Sequence, residues 1–165
     1  MEVQYPIVND EDEIIGTMGK KEAYEKQAML RSVQIFLFDS AGRLLVQRRA
    51  FTKSRFPGYY CASVAGHVEP GESYESSAVR ELEEEVGVHA PLAFLIKEKT
   101  PIGENEYAMM AHFRAVSEEP IIVQESELES AQFFTLDEID AMIAHGEPFT
   151  PSFAYSFEQL KKGRV

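Results

Sequence analysis

The apolar positions of this chain follow two periods. Residues 33–38 form an almost unbroken apolar run, closed by the turn Asp39-Ser40-Ala41-Gly42 and followed by a second run at 44–49. That pattern predicts a β-hairpin. Residues 14–18, 60–64, 92–99, 106–116 and 130–135 read as further strands, with Pro101-Ile102-Gly103 breaking the chain between two of them. Phe56-Pro57-Gly58 reads as a loop. Elsewhere the period lengthens to that of a helix. Residues 20–30 place Ala23, Gln27 and Leu30 on one side, and residues 74–86 do the same with Ala78, Val79, Leu82 and Val86. Thr135-Leu136-Asp137-Glu138 is a capping box, opening a helix with Ile139, Met142 and Ile143 turned inward. Thr150-Pro151 predicts an N-cap with proline at the first helical position, ahead of an inward stripe of Phe153, Phe157 and Leu160. Strands interleaved with helices indicate an α/β class.

The helix at 74–86 carries the chemistry. Ser73 is its expected N-cap and Gly87 its expected left-handed C-terminal residue. Glu81, Glu84 and Glu85 are related by steps of three and four, so they cluster on one side. Like charges at that spacing cost a helix about 0.2–0.5 kcal/mol per pair. A hard divalent cation, Mg²⁺ or Mn²⁺, would offset this, because such ions take carboxylate oxygens. Arg80, projecting from a different side, can hold one of these glutamates in place through a bidentate hydrogen bond. Pro70 and Gly71 shape the loop that enters the helix.

The same glutamates belong to a longer pattern. Gly66, Glu72, Arg80, Glu81, Leu82, Glu84, Glu85, Gly87 and Val88 stand at the spacing G-x5-E-x7-R-E-U-x-E-E-x-G-U, where U is aliphatic. This resembles the Nudix box at every specified position. The resemblance implies an α/β Nudix fold, a mixed β-sheet sandwiched between α-helices. It also implies a metal-dependent hydrolase of a diphosphate bonded to some further group. In that family the backbone carbonyl before the first glycine, here that of Ala65, often joins the glutamates at the metal.

Outside the box the chain looks like the isopentenyl-diphosphate isomerase branch of the superfamily, with matching pieces from Phe36-Leu37-Phe38 to Phe149-Thr150-Pro151-Ser152-Phe153. The isomerase's catalytic cysteine corresponds to Ala65, and no histidine precedes His67 to replace its two N-terminal metal ligands. The resemblance therefore implies hydrolase chemistry on an isomerase-like scaffold. An isomerase-like enzyme and a catalytically silent nucleotide-binding module are the alternatives. Glu104 and Glu106 match isomerase glutamates that bind metal or move protons. Two apart at a strand start, they are expected to point the same way. With Glu81, Glu84 and Arg80 they complete the candidate catalytic set, and His67 is a candidate substrate contact.

Charge sharpens this picture. The 165 residues carry 28 acids and 16 bases, a net charge of −12. This balance argues against a nucleic-acid partner. Yet residues 40–68 contain no acid, while Arg43, Arg48, Arg49, Lys53 and Arg55 fall there. Arg48, Arg49 and Lys53 are thus candidates for binding an anionic, diphosphate-containing small molecule. Strand alternation allows only one of the two arginines to face the site, and Lys53 and Arg55, in the following loop, are expected to act mainly on association rate and its salt dependence. The lone cysteine, Cys61, reads as a buried small residue. No apolar run is long enough to span a membrane, and the acidic residues 1–13 lack the features of a signal peptide. The expectation is one cytoplasmic domain over residues 1–165, with 1–30 an N-terminal extension packed on it. A homodimer is compatible with this reading.

Overall fold

A computed structural model describes residues 1–163. Its elements run β1 (Gln4–Val8), β2 (Ile14–Gly19), α1 (Lys20–Glu25), β3 (Leu30–Phe38), β4 (Leu44–Arg49), β5 (Tyr60–Cys61), β6 (Val64–His67), α2 (Tyr74–Val86), β7 (Ala93–Gly103), β8 (Glu106–Val116), β9 (Leu128–Phe134), α3 (Leu136–Ala144) and α4 (Pro151–Lys161).

β3 is the hub, and its sequence says why. A strand buried on both faces reads as a continuous apolar run rather than an alternating one. Val33, Ile35 and Leu37 pack with Ala78, Leu82 and Val86 of α2. Phe36 and Phe38 point the other way, into a core with Ile139 of α3 and Phe153 and Phe157 of α4. One edge of β3 pairs in parallel with β8 along its whole length, from Leu30↔Ala108 to Phe38↔Val116. The other edge is shared in turn by β1, β6 and β4. The result is a mixed, curled sheet between helices, as the sequence implied.

Several expectations need correction. The hairpin at residues 33–49 meets at one pair only, Phe38↔Leu44, because β4 leaves to join β5 and β9. The predicted strand at 60–64 is two short pieces that serve different partners. β1 was not foreseen. α1 stops at Glu25 instead of running to Leu30. Gln27 turns with φ 53°, and the N–H groups of Ala28 and Gln27 bond back to the carbonyls of Ala23 and Tyr24, which ends the helix. Leu30 is therefore a strand residue. Val79 and Ile143 are exposed rather than inward. Thr150 precedes α4, but its hydroxyl caps nothing. Glu104 lies in the turn between β7 and β8, not in a strand.

Residues 1–28 are fixed to the rest by a polar staple. Asp12, whose side chain is buried, accepts from Arg31 Nε at 2.8 Å, Lys97 Nζ at 2.6 Å and Tyr74 Oη at 2.9 Å. It joins the β1–β2 turn to β3, β7 and the first residue of α2. Asp12→Asn keeps a residue that tolerates the local φ of 63° but removes the charge. We expect urea unfolding to register a loss of roughly 1–3 kcal/mol, discounted for the partly exposed lysine. A loss below about 0.5 kcal/mol would show the staple to be passive.

Candidate active site

The loop before α2 and the helix itself build one side of a cleft of about 870 Å³. Ser73 caps α2 as expected, in a capping box with Ser76, and Gly87 closes it at φ 69°. Gly66 must lack a side chain, because a Cβ there would land on the Glu81 carboxylate. Arg80 does more than the helical wheel suggested. It grips Glu72 bidentately, with Nε at 2.7 Å and Nη2 at 2.9 Å. Its Nη1 also reaches Glu81 at 2.8 Å and Glu84 at 3.2 Å, and Nη2 donates to the His67 carbonyl. Arg80 therefore ties the glycine loop to the helix. Its hydrogen bonds hold the Glu72 carboxyl down at about 2.

Glu81 and Glu85 look into the cleft. Burial, with Glu84 and Glu72 nearby, raises Glu81 above the usual carboxylate range despite Arg80. Glu85 goes further, pushed up to about 8 by burial and then by Glu81. Its side-chain partner is the Gln47 amide at 3.2 Å, a neutral donor. Hard-cation chemistry fits this donor set: two crowded carboxylates that lack a full protein counter-charge, a third at the cleft edge on Glu84, and Ala65 exposed beside them. In the side-chain arrangement seen, Glu81 and Glu84 turn to Arg80, and among the described residues no group of three or more such ligands is gathered for a metal.

Cations line the same cleft. Arg49 lines the cleft, its Nε fixed to the Arg55 carbonyl at 3.0 Å, while Arg48 stacks over Phe51 and Tyr60 outside it. Strand alternation thus separates the pair as expected. Lys53 lines the cleft and bridges to Glu127 at 2.7 Å. His67 also lines it, but its Nε2 lies 2.8 Å from the Tyr24 hydroxyl. Burial, with Lys20 and Arg55 near, holds its pKa down at about 3, so the ring is neutral. Glu104 is exposed and does not line the cleft, whereas Glu106 pairs with Arg55 at 2.6 Å. The expectation that both stand at a strand start holds for Glu106 alone. Cys61 is half-buried at the cleft, and burial and then Glu85 push its thiol up to about 12. Sequence reading missed Lys20, Tyr24 and Glu127, all at the cleft. They lie outside the recognisable pattern, and only the fold brings them in.

Comparison with known sequences decides the family. A profile of the NUDIX domain matches residues 29–153, most of the chain. The chain belongs to the Nudix family. It is 35% identical over 147 residues to an uncharacterized Nudix hydrolase of Pseudomonas aeruginosa, PA4841, covering 87% of this chain and 85% of that one. It is 34% identical to the Nudix hydrolase YfcD of Escherichia coli, covering 88% and 79%. Among solved structures it resembles DR0079 of Deinococcus radiodurans, with a TM-score of 0.83, 27% identity, and coverage of 94% and 98%. An isopentenyl-diphosphate isomerase of Serratia proteamaculans matches at 41% identity over 86 residues, 52% of this chain and 48% of that protein. The chain thus spans about half the length of such isomerases. Nudix membership and these relatives make it a hydrolase, and Nudix hydrolases generally use divalent metal ions. Among the described residues, no helix is long and apolar enough to cross a membrane.

Two tests follow for this Nudix hydrolase. Gly66→Ala should fold, because the clash is with the end of a flexible side chain. It should nonetheless displace Glu81 and cut turnover at least about tenfold, as expected when a site group is misplaced by an ångström. Wild-type turnover would show that the position of Glu81 is unimportant. Glu85 gives a pH signature in metal-free protein. Its folded pKa of about 8 lies above the ordinary glutamate value of roughly 4.3. Between these values the folded state keeps a proton that the unfolded state has lost, so stability falls as pH rises. Glu85→Gln should remove this slope and gain roughly 1–3 kcal/mol at pH 8 over wild type. Parallel stability–pH curves for the two proteins would contradict it.

Proposed function

We propose that this Nudix hydrolase cleaves a phosphoanhydride bond in a nucleoside diphosphate linked to another moiety, with Mg²⁺ as the working ion. The observation that carries this reading is the gathering in one cleft of crowded carboxylates, Glu81 and Glu85, with the cations Arg49 and Lys53. A diphosphate presents negative oxygens to both a bound cation and basic side chains. A Nudix domain of Shewanella oneidensis NrtR, 17% identical, was solved with ADP ribose, which is a ligand of this class.

Glu81, Glu84 and Glu85, with the Ala65 carbonyl, would hold the ion. When bound, Mg²⁺ polarises phosphoryl oxygens and lowers the pKa of water. The chain's own groups do the rest. Arg80 orients Glu81 and Glu84, which would be shared with a bound cation. Arg49 neutralises charge building on the phosphates. A carboxylate of the cluster, Glu81 or Glu84, accepts the proton of the attacking water. Isomerase chemistry is disfavoured, because Ala65 has no proton to give and His67 is engaged by Tyr24.

Excess chelator should abolish turnover of such a substrate, and Glu85→Gln should lower it at least about a hundredfold with the fold intact. Full activity under chelation would refute the reading. Arg49→Ala should lose roughly 1.5–3 kcal/mol in kcat/KM, the range for hydrogen bonds to charged groups. Arg48→Ala should lose less than about 1 kcal/mol. Equal effects would mean that the strand does not discriminate by face.

A further inference from the structure

Arg55 was expected to act mainly on association rate, but the fold holds it in place. Its Nη2 donates to Glu106 Oε2 at 2.6 Å. Its guanidinium lies 4.4 Å from the centre of the Tyr24 ring and 5.4 Å from that of Phe56. The loop that carries it is held by its own carbonyl, which accepts from Arg49 Nε. Phe56 takes φ 49°, a backbone conformation unusual for a bulky side chain, and this turns the ring against the guanidinium. Tyr24 is itself anchored through His67, the residue after the box glycine. One cation is thus fixed by a carboxylate and two rings drawn from three separate segments.

The contacts leave part of the group free. Among the described residues, Nε and Nη1 of Arg55 make no hydrogen bond, and the residue lines the cleft. The side chain keeps 34% of its surface exposed, so these donors can be reached from the cleft. Glu106 matches an isomerase glutamate that binds metal or moves protons, yet here it serves as the counter-ion of an arginine. The protein supplies its own cation at this place.

We propose that Arg55 is a substrate-binding residue, a guanidinium fixed in advance whose remaining N–H groups take a phosphoryl oxygen of the substrate, with Glu106 and Tyr24 as its positioning residues. The planar fork of arginine suits phosphate oxygens, and stacking between rings removes the freedom that binding would otherwise have to freeze. This rests on the cleft being a diphosphate site. It adds that the grip depends on the N-terminal segment, since Tyr24 lies outside the residues that match the family profile.

The test is calorimetric titration of the full chain with methylenediphosphonate in the presence of Mg²⁺, together with KM and kcat. Arg55→Ala should weaken binding about tenfold or more, and Arg55→Lys should recover only part, because an ammonium cannot fork or stack in the same way. Glu106→Gln discriminates best. Removing a negative charge near an anion site would by charge alone tighten binding, whereas loss of positioning weakens it and raises KM more than it lowers kcat. Lys26→Ala, an exposed cation paired with Glu22 away from the cleft, should leave binding unchanged. Binding by Arg55→Ala within twofold of wild type, tighter binding by Glu106→Gln, or an equal loss in Lys26→Ala would each overturn the proposal. Wild-type protein that does not bind the probe would overturn the diphosphate reading as well.

Discussion

A buried carboxylate without a matching cation is the constraint on which this structure turns. Glu85 sits at the cleft with an amide for its side-chain partner and another carboxylate close by. Burying such a charge is costly, and a protein answers either by keeping the group protonated or by binding a counter-ion. The surrounding architecture keeps that choice open. Gly66 makes room for the Glu81 carboxylate, and Arg80 spreads its donors over Glu72, Glu81 and Glu84 without reaching Glu85. The helix tolerates its repelling glutamates because Arg80 is near and because its apolar side is locked into the core by Ala78, Leu82 and Val86.

The second dependence is between the catalytic helix and the N-terminal segment. Asp12 holds the β1–β2 turn against Tyr74, the first residue of α2, and against β3 and β7. The same segment presents Tyr24 to His67 and to Arg55. Loops that carry function need rigid support, and here the support comes from residues that precede the family-matching region. Two ends of the chain's first half thereby meet over one cleft.

Much of this was legible in the sequence, and the exceptions have physical reasons. Ser73 and Gly87 bounded α2 correctly because capping and left-handed closure depend on local residue type. Arg48 and Arg49 were correctly expected to diverge, because strand alternation is geometric, although which one faces the cleft required the fold. Arg80 was underestimated, since a long side chain with five donors is not confined to its place on a helical wheel. Glu104 and Glu106 were misjudged because β7 runs on through Pro101-Ile102-Gly103, so the turn falls at Glu104 and Asn105 instead. β1 and the early end of α1 stayed hidden, since a short edge strand and a non-glycine left-handed turn at Gln27 leave little trace in hydropathy. Lys20 and Tyr24 could not have been assigned at all without the tertiary contact.

If Glu81, Glu84 and Glu85 form the cation site proposed above, an arriving metal displaces the proton that Glu85 holds in the metal-free protein. The most direct measurement is the number of protons released when Mn²⁺ binds at pH 7, obtained by calorimetry in two buffers of different ionisation enthalpy. Metal binding requires ionised ligands, so the account predicts release of about one proton per protein, falling to near none in Glu85→Gln. Binding of Mn²⁺ with no proton release, or no binding at millimolar ion, would contradict it.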